Sequence, residues 1–276
     1  MKTVIIGGVA GGASAAARLR RLDENAEIVL LERGGYISFA NCGLPYYIGG
    51  EIKEQDSLVL QSPESFRDRF QVEARIFSEV LAVDSNVRKV TVRNLRTGET
   101  YTEAYDKLIL SPGAKPIIPP LPGADSPNVF TLRNIPDMLA IKDYIGEHSS
   151  KRAVVVGGGY IGIEMAENLK EAGLSVAIVE MQDHLMASLD FDMAAFVHNH
   201  LREKGIDVYL SNAVKEIQSL DAKTRVILAQ GSLNADLVIL AIGVRSDTDF
   251  LKDSGIALNE RGGIIVNDHM NGLTPE

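Results

Sequence analysis

The sequence predicts an α/β fold: two βαβ-based domains in three layers, with a β-meander attached to the first. Three observations carry that prediction. Residues 2–7 (KTVIIG) and 152–157 (RAVVVG) are near copies, each a short Val/Ile-rich run that passes at once into glycine. Each is followed by a small-residue helical pattern and then a second apolar run, AEIVLLE at 26–32 and SVAIVE at 175–180. Continuous apolar runs of this length suit parallel strands buried on both faces, and the intervening pattern suits a crossover helix, so two βαβ units are expected. The stretch 78–110 breaks the pattern: EVLAVD, KVTVRN and ETYTEAYDKLILS are β-like runs separated by Asp-Ser-Asn and Thr-Gly turns, as in an antiparallel meander.

The elements follow in order. The first helical pattern ends in Arg18, Arg20 and Arg21. Between Ser111 and Pro127 the chain carries Pro112, Pro116, Pro119, Pro120, Pro122 and Pro127, which removes backbone donors and argues against regular structure. A domain crossing is placed there. Beyond the second βαβ unit come a helix at roughly 190–204, short strands at 206–210, 213–219 and 224–229, and the apolar run ADLVILAIG at 235–243. The expected division is 1–114, 115–242, and a return to the first domain over 243–276. The final GGIIVNDHMNGLTPE is polar and ends without a closing helix or strand, so the returning part reads as incomplete.

Composition bounds the function classes. The chain has 276 residues, 45% apolar and 24% charged, room for one large domain or two ordinary ones. With 28 Lys+Arg against 37 Asp+Glu the net charge is −9, which disfavours binding to a nucleic-acid backbone. No apolar run approaches the length needed to cross a bilayer, and the start MKTVIIGG lacks the pattern of a signal peptide. One cysteine forms no internal disulfide. A cytoplasmic location, with no membrane and no nucleic-acid partner, is expected.

The two glycine turns carry the first chemistry. A pyrophosphate needs backbone N–H groups at a helix N-terminus with no Cβ in the way, which places glycines at the first, third and sixth positions of the turn. The second copy, VVVGGGYIG, fits fully with Gly157, Gly159 and Gly162, and Glu180 closes the next strand where a carboxylate can accept from a ribose 2′-OH. That carboxylate repels a 2′-phosphate, and residues 181–185 (MQDHL) contain no Arg to attract one, so NADH is expected over NADPH. The first copy has Gly7 and Gly12 but Val9 at the third position, with Glu32 at the end of the next strand. Two such turns make the domains Rossmann-like dinucleotide-binding domains. One nicotinamide site implies a second redox cofactor in the other, and a flavin is the natural candidate because it accepts a hydride and passes electrons to sulfur.

Cys42 lies in SFANCGLPYY at 38–47. Alone, it reads as a small buried side chain. Asn41 is a good N-cap and Pro45 suits a first helical turn, which would put Cys42 at a helix N-terminus, where the dipole favours a thiolate. A thiolate attacks disulfides. No second Cys exists for an internal dithiol cycle, so electrons would rest in a mixed disulfide, a sulfenic acid or a persulfide.

These segments, together with ILSPGAKP and LAIGVRSDT, resemble the single-cysteine flavoprotein disulfide reductases, of the coenzyme A-disulfide reductase and NADH-dependent persulfide reductase type. The resemblance spans residues 1 to about 270. It implies that Gly7, Gly12, Glu32, Arg33, Ser111, Pro112, Gly113 and, on the return, Gly243 belong to cofactor binding, the first seven toward the ADP part of FAD. Gly157, Gly159, Tyr160, Ile161, Gly162 and Glu180 would hold NADH, with Tyr160 and Glu164 near the nicotinamide–flavin contact. Cys42 would be the redox centre, flanked by Ser38 and Asn41, and Ser14, Arg18 and Arg21 would meet a coenzyme A moiety. Family members offer a Lys in the region of FRDRF, where this chain has Phe70, and Arg67 or Arg69 would substitute. Members also continue past NDHM into a flavin-binding Asp and a dimerisation domain that makes them homodimers; neither is in this sequence.

Three readings compete: a reductase of low-molecular-weight disulfides or persulfides of the coenzyme A type, an NADH oxidase or peroxidase using a Cys42 sulfenic acid, and a nucleotide-binding fragment without turnover. No metal site is expected, since His198 and His200 stand two apart on a helix and point to different sides. His148, His184 and His269 are expected at the surface. Met181, Met186 and Met193 are expected in the core, and Asp190 and Asp192 at a helix start.

Overall fold

The computed structural model describes residues 1–220 and 223–273 and divides into two compact units. The first comprises 1–40, 56–115 and 245–276; the second comprises 41–55 and 116–244.

In the first unit the run at Lys2–Ile6 is a strand buried from Thr3 onward, because neighbours cover it on both sides. It pairs in parallel with Glu27–Leu31 and with Lys107–Leu110, and Glu27–Leu31 pairs in parallel with Glu73–Arg75. The sheet therefore has four strands, with the first strand inside. Helix Ala10–Leu22 is the crossover, and its small buried residues Gly12, Ala13 and Ala16 let it lie close to the sheet. Three antiparallel strands, Ser78–Asp84, Lys89–Asn94 and Thr100–Ala104, form the expected meander. The third β-like run is two elements, however. Its first part closes the meander, and Lys107–Leu110 leaves to join the parallel sheet, where Leu108 to Leu110 extend the apolar packing of the first strand.

The second unit repeats the plan. Arg152–Val156 pairs in parallel with Ser175–Val179 and Leu237–Leu240, and the sheet is completed by Asp207–Tyr209 and Val129–Phe130. Helix Tyr160–Glu171 crosses over, and helix Phe191–Glu203 follows, N-capped by Asp190, whose side chain accepts from Met193 N–H. Val214–Leu220, Lys223–Leu228 and Ser232–Ala235 form a second antiparallel meander.

Four further sequence expectations change. Ala114–Pro116 is a short strand paired with Val244–Ser246, so the proline-rich stretch is regular at its start. Pro112 precedes the strand, Pro116 closes it and the other prolines lie beyond, so its interior carries none. Residues 41–55 group with the second unit, whereas the sequence reading ran the first domain unbroken over 1–114. The reason is helix Leu44–Gly49, which buries Leu44, Pro45 and Ile48 and packs against helices Ile135–Glu147 and Tyr160–Glu171. The return falls between Val244 and Arg245. Finally, Met181 and Met193 are exposed and Met186 half-buried rather than core: Met181 lines a cavity, and Met193 lies off the helix face that buries Ala194, His198 and Leu201. Among the described residues no helix is long and apolar enough to cross a membrane.

Candidate functional site

The two glycine turns have the same construction. Gly7 and Gly157 take positive φ, +94° and +109°, which reverses the chain between strand and helix and which a side chain resists. At the sixth position, a Cβ on Gly12 would lie 1.8 Å from the Gly7 carbonyl oxygen, and one on Gly162 would lie 2.0 Å from that of Gly157. The helix starts so close under the turn that only hydrogen fits. The third position is different: Gly159 has φ −80° and nothing within 4 Å of an added Cβ. Val9 occupies the equivalent place at φ −92°. The first turn thus tolerates the side chain that the sequence pattern counted against it.

Each turn is braced by the glutamate that ends the following strand. Glu32 accepts from Gly8 N–H at 2.7 Å and from Gly34 N–H at 2.7 Å. Glu180 accepts from Gly158 N–H at 2.7 Å and from Gln182 N–H at 2.8 Å. A carboxylate has about four lone-pair sites, so each retains acceptor capacity for a ribose hydroxyl. The bracing role is one that sequence spacing alone does not reveal.

In the second unit, Gly157, Gly159, Tyr160, Ile161, Glu180 and Gly243 line one largely apolar cavity of about 620 Å³, within the range of small-molecule sites. Tyr160 is exposed, and its hydroxyl lies 3.2 Å from Ser188 Oγ. Gly243, at φ +113°, accepts from Ile117 N–H at 3.0 Å. Gly162 lies buried beneath the turn, outside the lining. Met181 and Gln182 also line this cavity; their position directly after Glu180 was the available signal.

In the first unit, Gly7, Glu32, Arg33 and Pro112 line a small cavity of about 70 Å³ together with Asp247. Arg33 donates to Asp247 at 2.7 Å. Gly12 is buried under the turn. Ser111 N–H donates to Ile6 carbonyl at 2.8 Å, and its own carbonyl backs Gly7 so closely that a Cβ there would lie 2.0 Å away. Gly113, at φ +70°, accepts from Asp247 N–H at 3.1 Å. Glycine cradle, helix N-terminus and free acceptor capacity on Glu32 are compatible with the ADP portion of a dinucleotide such as FAD.

A groove of about 400 Å³ lies on the same unit, lined by Ser14 and Ser38 with Phe39, Gln61, Phe66 and Phe70. Arg18 and Arg21 are exposed on the same helix as Ser14, at i+4 and i+7, so the three share one face. Arg20 is committed elsewhere: its guanidinium donates to the carbonyls of Phe70, Asp23, Glu24, Ala26 and Gln71. Arg67 and Arg69 are exposed, and Arg69 sits over the Phe70 ring at 5.2 Å.

Cys42 is a free, exposed thiol in a 3-10 turn, Asn41–Gly43. Here Asn41 does not N-cap the helix. That helix begins at Leu44 with Gly43 as its cap, because the turn inserts three residues ahead of Pro45. Tyr46 and Glu164 lie in the same unit as Cys42. Burial, and then the Glu167 charge, push the Glu164 carboxyl up, and the Glu164 charge in turn raises the Tyr46 phenol. Lys142 donates to the Tyr47 carbonyl at 2.5 Å and lies over the Tyr47 ring. His198 is buried while His200 is exposed, as expected of two residues that point to different sides of one helix.

The family described as pyridine nucleotide-disulphide oxidoreductase matches residues 1–275. A coenzyme A disulfide reductase of Staphylococcus haemolyticus is 35% identical over 97% of this chain and 59% of its own length. The reduced Bacillus anthracis CoADR-RHD structure superposes with a TM-score of 0.95 at 48% identity, covering 98% of this chain and 49% of that one. An NAD-dependent persulfide reductase from A. fulgidus gives a TM-score of 0.94 at 35% identity, over 99% of this chain and 51% of that one. The chain spans about 60% of the length of the curated relatives it matches.

Proposed function

Because this chain belongs to the pyridine nucleotide-disulphide oxidoreductase family, we propose that it serves an FAD-dependent NADH:disulfide oxidoreductase whose redox centre is Cys42. The substrate class is coenzyme A disulfide, coenzyme A persulfide or a related low-molecular-weight disulfide. The observation that carries the reading is the exposed thiol of the chain's single cysteine in a chain with two carboxylate-braced glycine turns.

The first unit holds FAD through Gly7, Gly12, Glu32, Arg33, Ser111, Pro112 and Gly113. The second holds NADH through Gly157, Gly159, Tyr160, Ile161, Gly162, Glu180 and Gly243. Glu164, half-buried and pushed toward its protonated form, would stand with Tyr160 near the nicotinamide end. When bound, the flavin accepts a hydride from the nicotinamide and makes two electrons available to sulfur. The protein's own step is sulfur exchange. The Cys42 thiolate attacks one sulfur of the substrate, a Cys42–S bond forms, the substrate S–S bond breaks, and one thiolate leaves. Two electrons from NADH then cleave the mixed disulfide, restoring the Cys42 thiolate and releasing the second thiol after protonation. The sum is one disulfide and NADH plus a proton giving two thiols and NAD⁺.

The groove on the first unit supports the coenzyme A class. Its aromatic floor suits an apolar pantetheine arm, Ser14, Ser38 and Gln61 offer amide partners, and Arg18 and Arg21 offer phosphate partners on one helix face. Asn41 flanks the thiol. Glu180 and the absence of Arg over 181–185 support NADH over NADPH. Cytoplasmic residence suits a mechanism that needs its only thiol kept reduced.

The test is anaerobic addition of NADH to the flavin-loaded protein and to Cys42→Ser. Both should bleach the flavin spectrum, while coenzyme A disulfide reduction should fall at least about 100-fold in the variant, the loss expected of a missing nucleophile. Reduction that survives in Cys42→Ser overturns the assignment of the thiol. Intact mass after turnover distinguishes a coenzyme A adduct on Cys42 from a sulfenic acid, the mark of the oxidase reading.

A further inference from the structure

We propose that His198 is a positioning residue for the second glycine turn: through Leu185 it holds the Gly158 peptide in the arrangement that receives the dinucleotide. This rests on the nucleotide reading above and adds a residue 36 positions beyond Gly162, outside the motif.

The Gly158 peptide is clamped from three sides. Its N–H donates to Glu180 at 2.7 Å. Its carbonyl accepts from Met186 N–H at 2.8 Å. Its α-carbon is covered by Leu185, so closely that an added Cβ would lie 2.2 Å from Leu185 Cδ2. Two of these three contacts come from residues 185–186, in a segment between Met181 and Asp190 that contains no helix or strand. Leu185 is nevertheless 0% exposed, and Met186 is held at φ +56°, a conformation side chains resist. Something outside the segment must keep it in place.

That anchor is His198, on helix Phe191–Glu203. Leu185 N–H donates to His198 Nε2 at 3.0 Å, and His198 is 5% exposed. Only a ring with a lone pair on Nε2 accepts an N–H, so His198 is neutral and carries its proton on Nδ1. Protonating Nε2 would set two donors against each other in a buried place and break the anchor. The charged and titratable groups facing the ring are Arg202 on the same helix and His184 on the clamped segment. His184 is itself favoured in the charged form by its hydrogen bond to Asp183, and the Glu180 charge acts in the same direction. Burial, then the Arg202 and His184 charges, hold the His198 ring below the ordinary imidazole value of 6.5. The anchor is therefore intact at neutral pH and released in acid.

The experiment is calorimetric titration of the protein with ADP-ribose between pH 7.5 and pH 5, alongside hydrogen exchange of the Leu185 amide. The wild type should lose affinity as the pH falls below 6.5, by up to about tenfold once His198 is protonated, the cost of one unpaired buried N–H; affinity independent of pH would overturn the proposal. His198→Gln, whose amide oxygen can accept but cannot titrate, should bind within about threefold of wild type at pH 7.5 with no such pH dependence. His198→Phe should bind about tenfold more weakly at every pH and exchange the Leu185 amide faster. An acid loss of the same size in His198→Gln, or full affinity in His198→Phe, overturns the proposal. A wild type that binds no ADP-ribose at any pH overturns the nucleotide reading itself, and this proposal with it.

Discussion

At Glu180 one carboxylate does two jobs that the sequence spacing presents as one. It braces the turn through Gly158 and Gln182, and it lines the cavity that we assign to NADH. A phosphate on the 2′-oxygen would meet a like charge, and two unit charges about 4 Å apart repel by about 4 kcal/mol at an effective dielectric constant of ~20. Glu180→Gln should therefore weaken NADH binding roughly tenfold, since its amide leaves one backbone N–H without an acceptor. The same change should shrink the preference for NADH over NADPH by at least about tenfold. Paired affinities for NADH and NADPH check this; an unchanged ratio would show that the carboxylate does not read the ribose. Cys42 is the converse case. The residue itself is evident as the sole thiol, but its 3-10 turn is not, because Asn41 and Pro45 fit a helix start equally well when helix Leu44–Gly49 is read without its packing partners.

The strand–turn–helix element is where sequence pattern and steric contact agree most closely. Glycine is required at the first and sixth positions for different reasons, a reversed φ and a helix pressed against a carbonyl, and at the third position for neither. Gly162→Ala should cost about 1–3 kcal/mol by overpacking, lower the melting temperature by several degrees, and abolish ADP-ribose binding. Gly159→Ala should stay within about 0.5 kcal/mol of the wild type. Comparable melting temperatures for the two variants would contradict the packing argument. Elsewhere the period of a segment was readable but its partner was not. Lys107–Leu110 follows the meander without a break in the β-like run, yet its half-buried Leu108, Ile109 and Leu110 join the parallel sheet. Met181 and Met193 are apolar by type and exposed by placement, since residue type does not say which face of a helix or loop packs inward.

Across the chain, the ends of the first unit's strands are tied by a charge network that no motif announces. Glu103 takes Lys2 at 2.6 Å and Arg75, while Lys2 also meets Glu27 at 2.8 Å and Arg75 meets Glu73 at 2.8 Å. Burial pushes the Glu103 carboxyl up, but the hydrogen bonds from Lys2 and Arg75 outweigh it and hold the group below its ordinary value of 4.5. A depressed carboxyl contributes stability that is complete above about pH 4.5 and is lost as pH falls through the folded value. Glu103→Gln should cost about 2 kcal/mol at pH 7. The difference from wild type should narrow below pH 4.5, as measured by urea unfolding at several pH values. A difference independent of pH would mean the carboxylate charge is not what the network uses.

The two βαβ units, the duplicated glycine turn, the terminal glutamates and the lone thiol were all legible without coordinates, whereas the short strands at Glu73–Arg75, Ala114–Pro116, Val129–Phe130 and Val244–Ser246 were not. Each of the former depends on local spacing or residue type, and a backbone turn under a helix leaves few sequences that fit. Three things needed the folded chain: that Glu32 and Glu180 brace their own turns, that residues 41–55 pack with the second unit, and that a buried imidazole secures Leu185. These contacts join residues far apart in sequence or in loops without periodicity. Only the packing of the surrounding sheet and helices decides which side chain meets which backbone group.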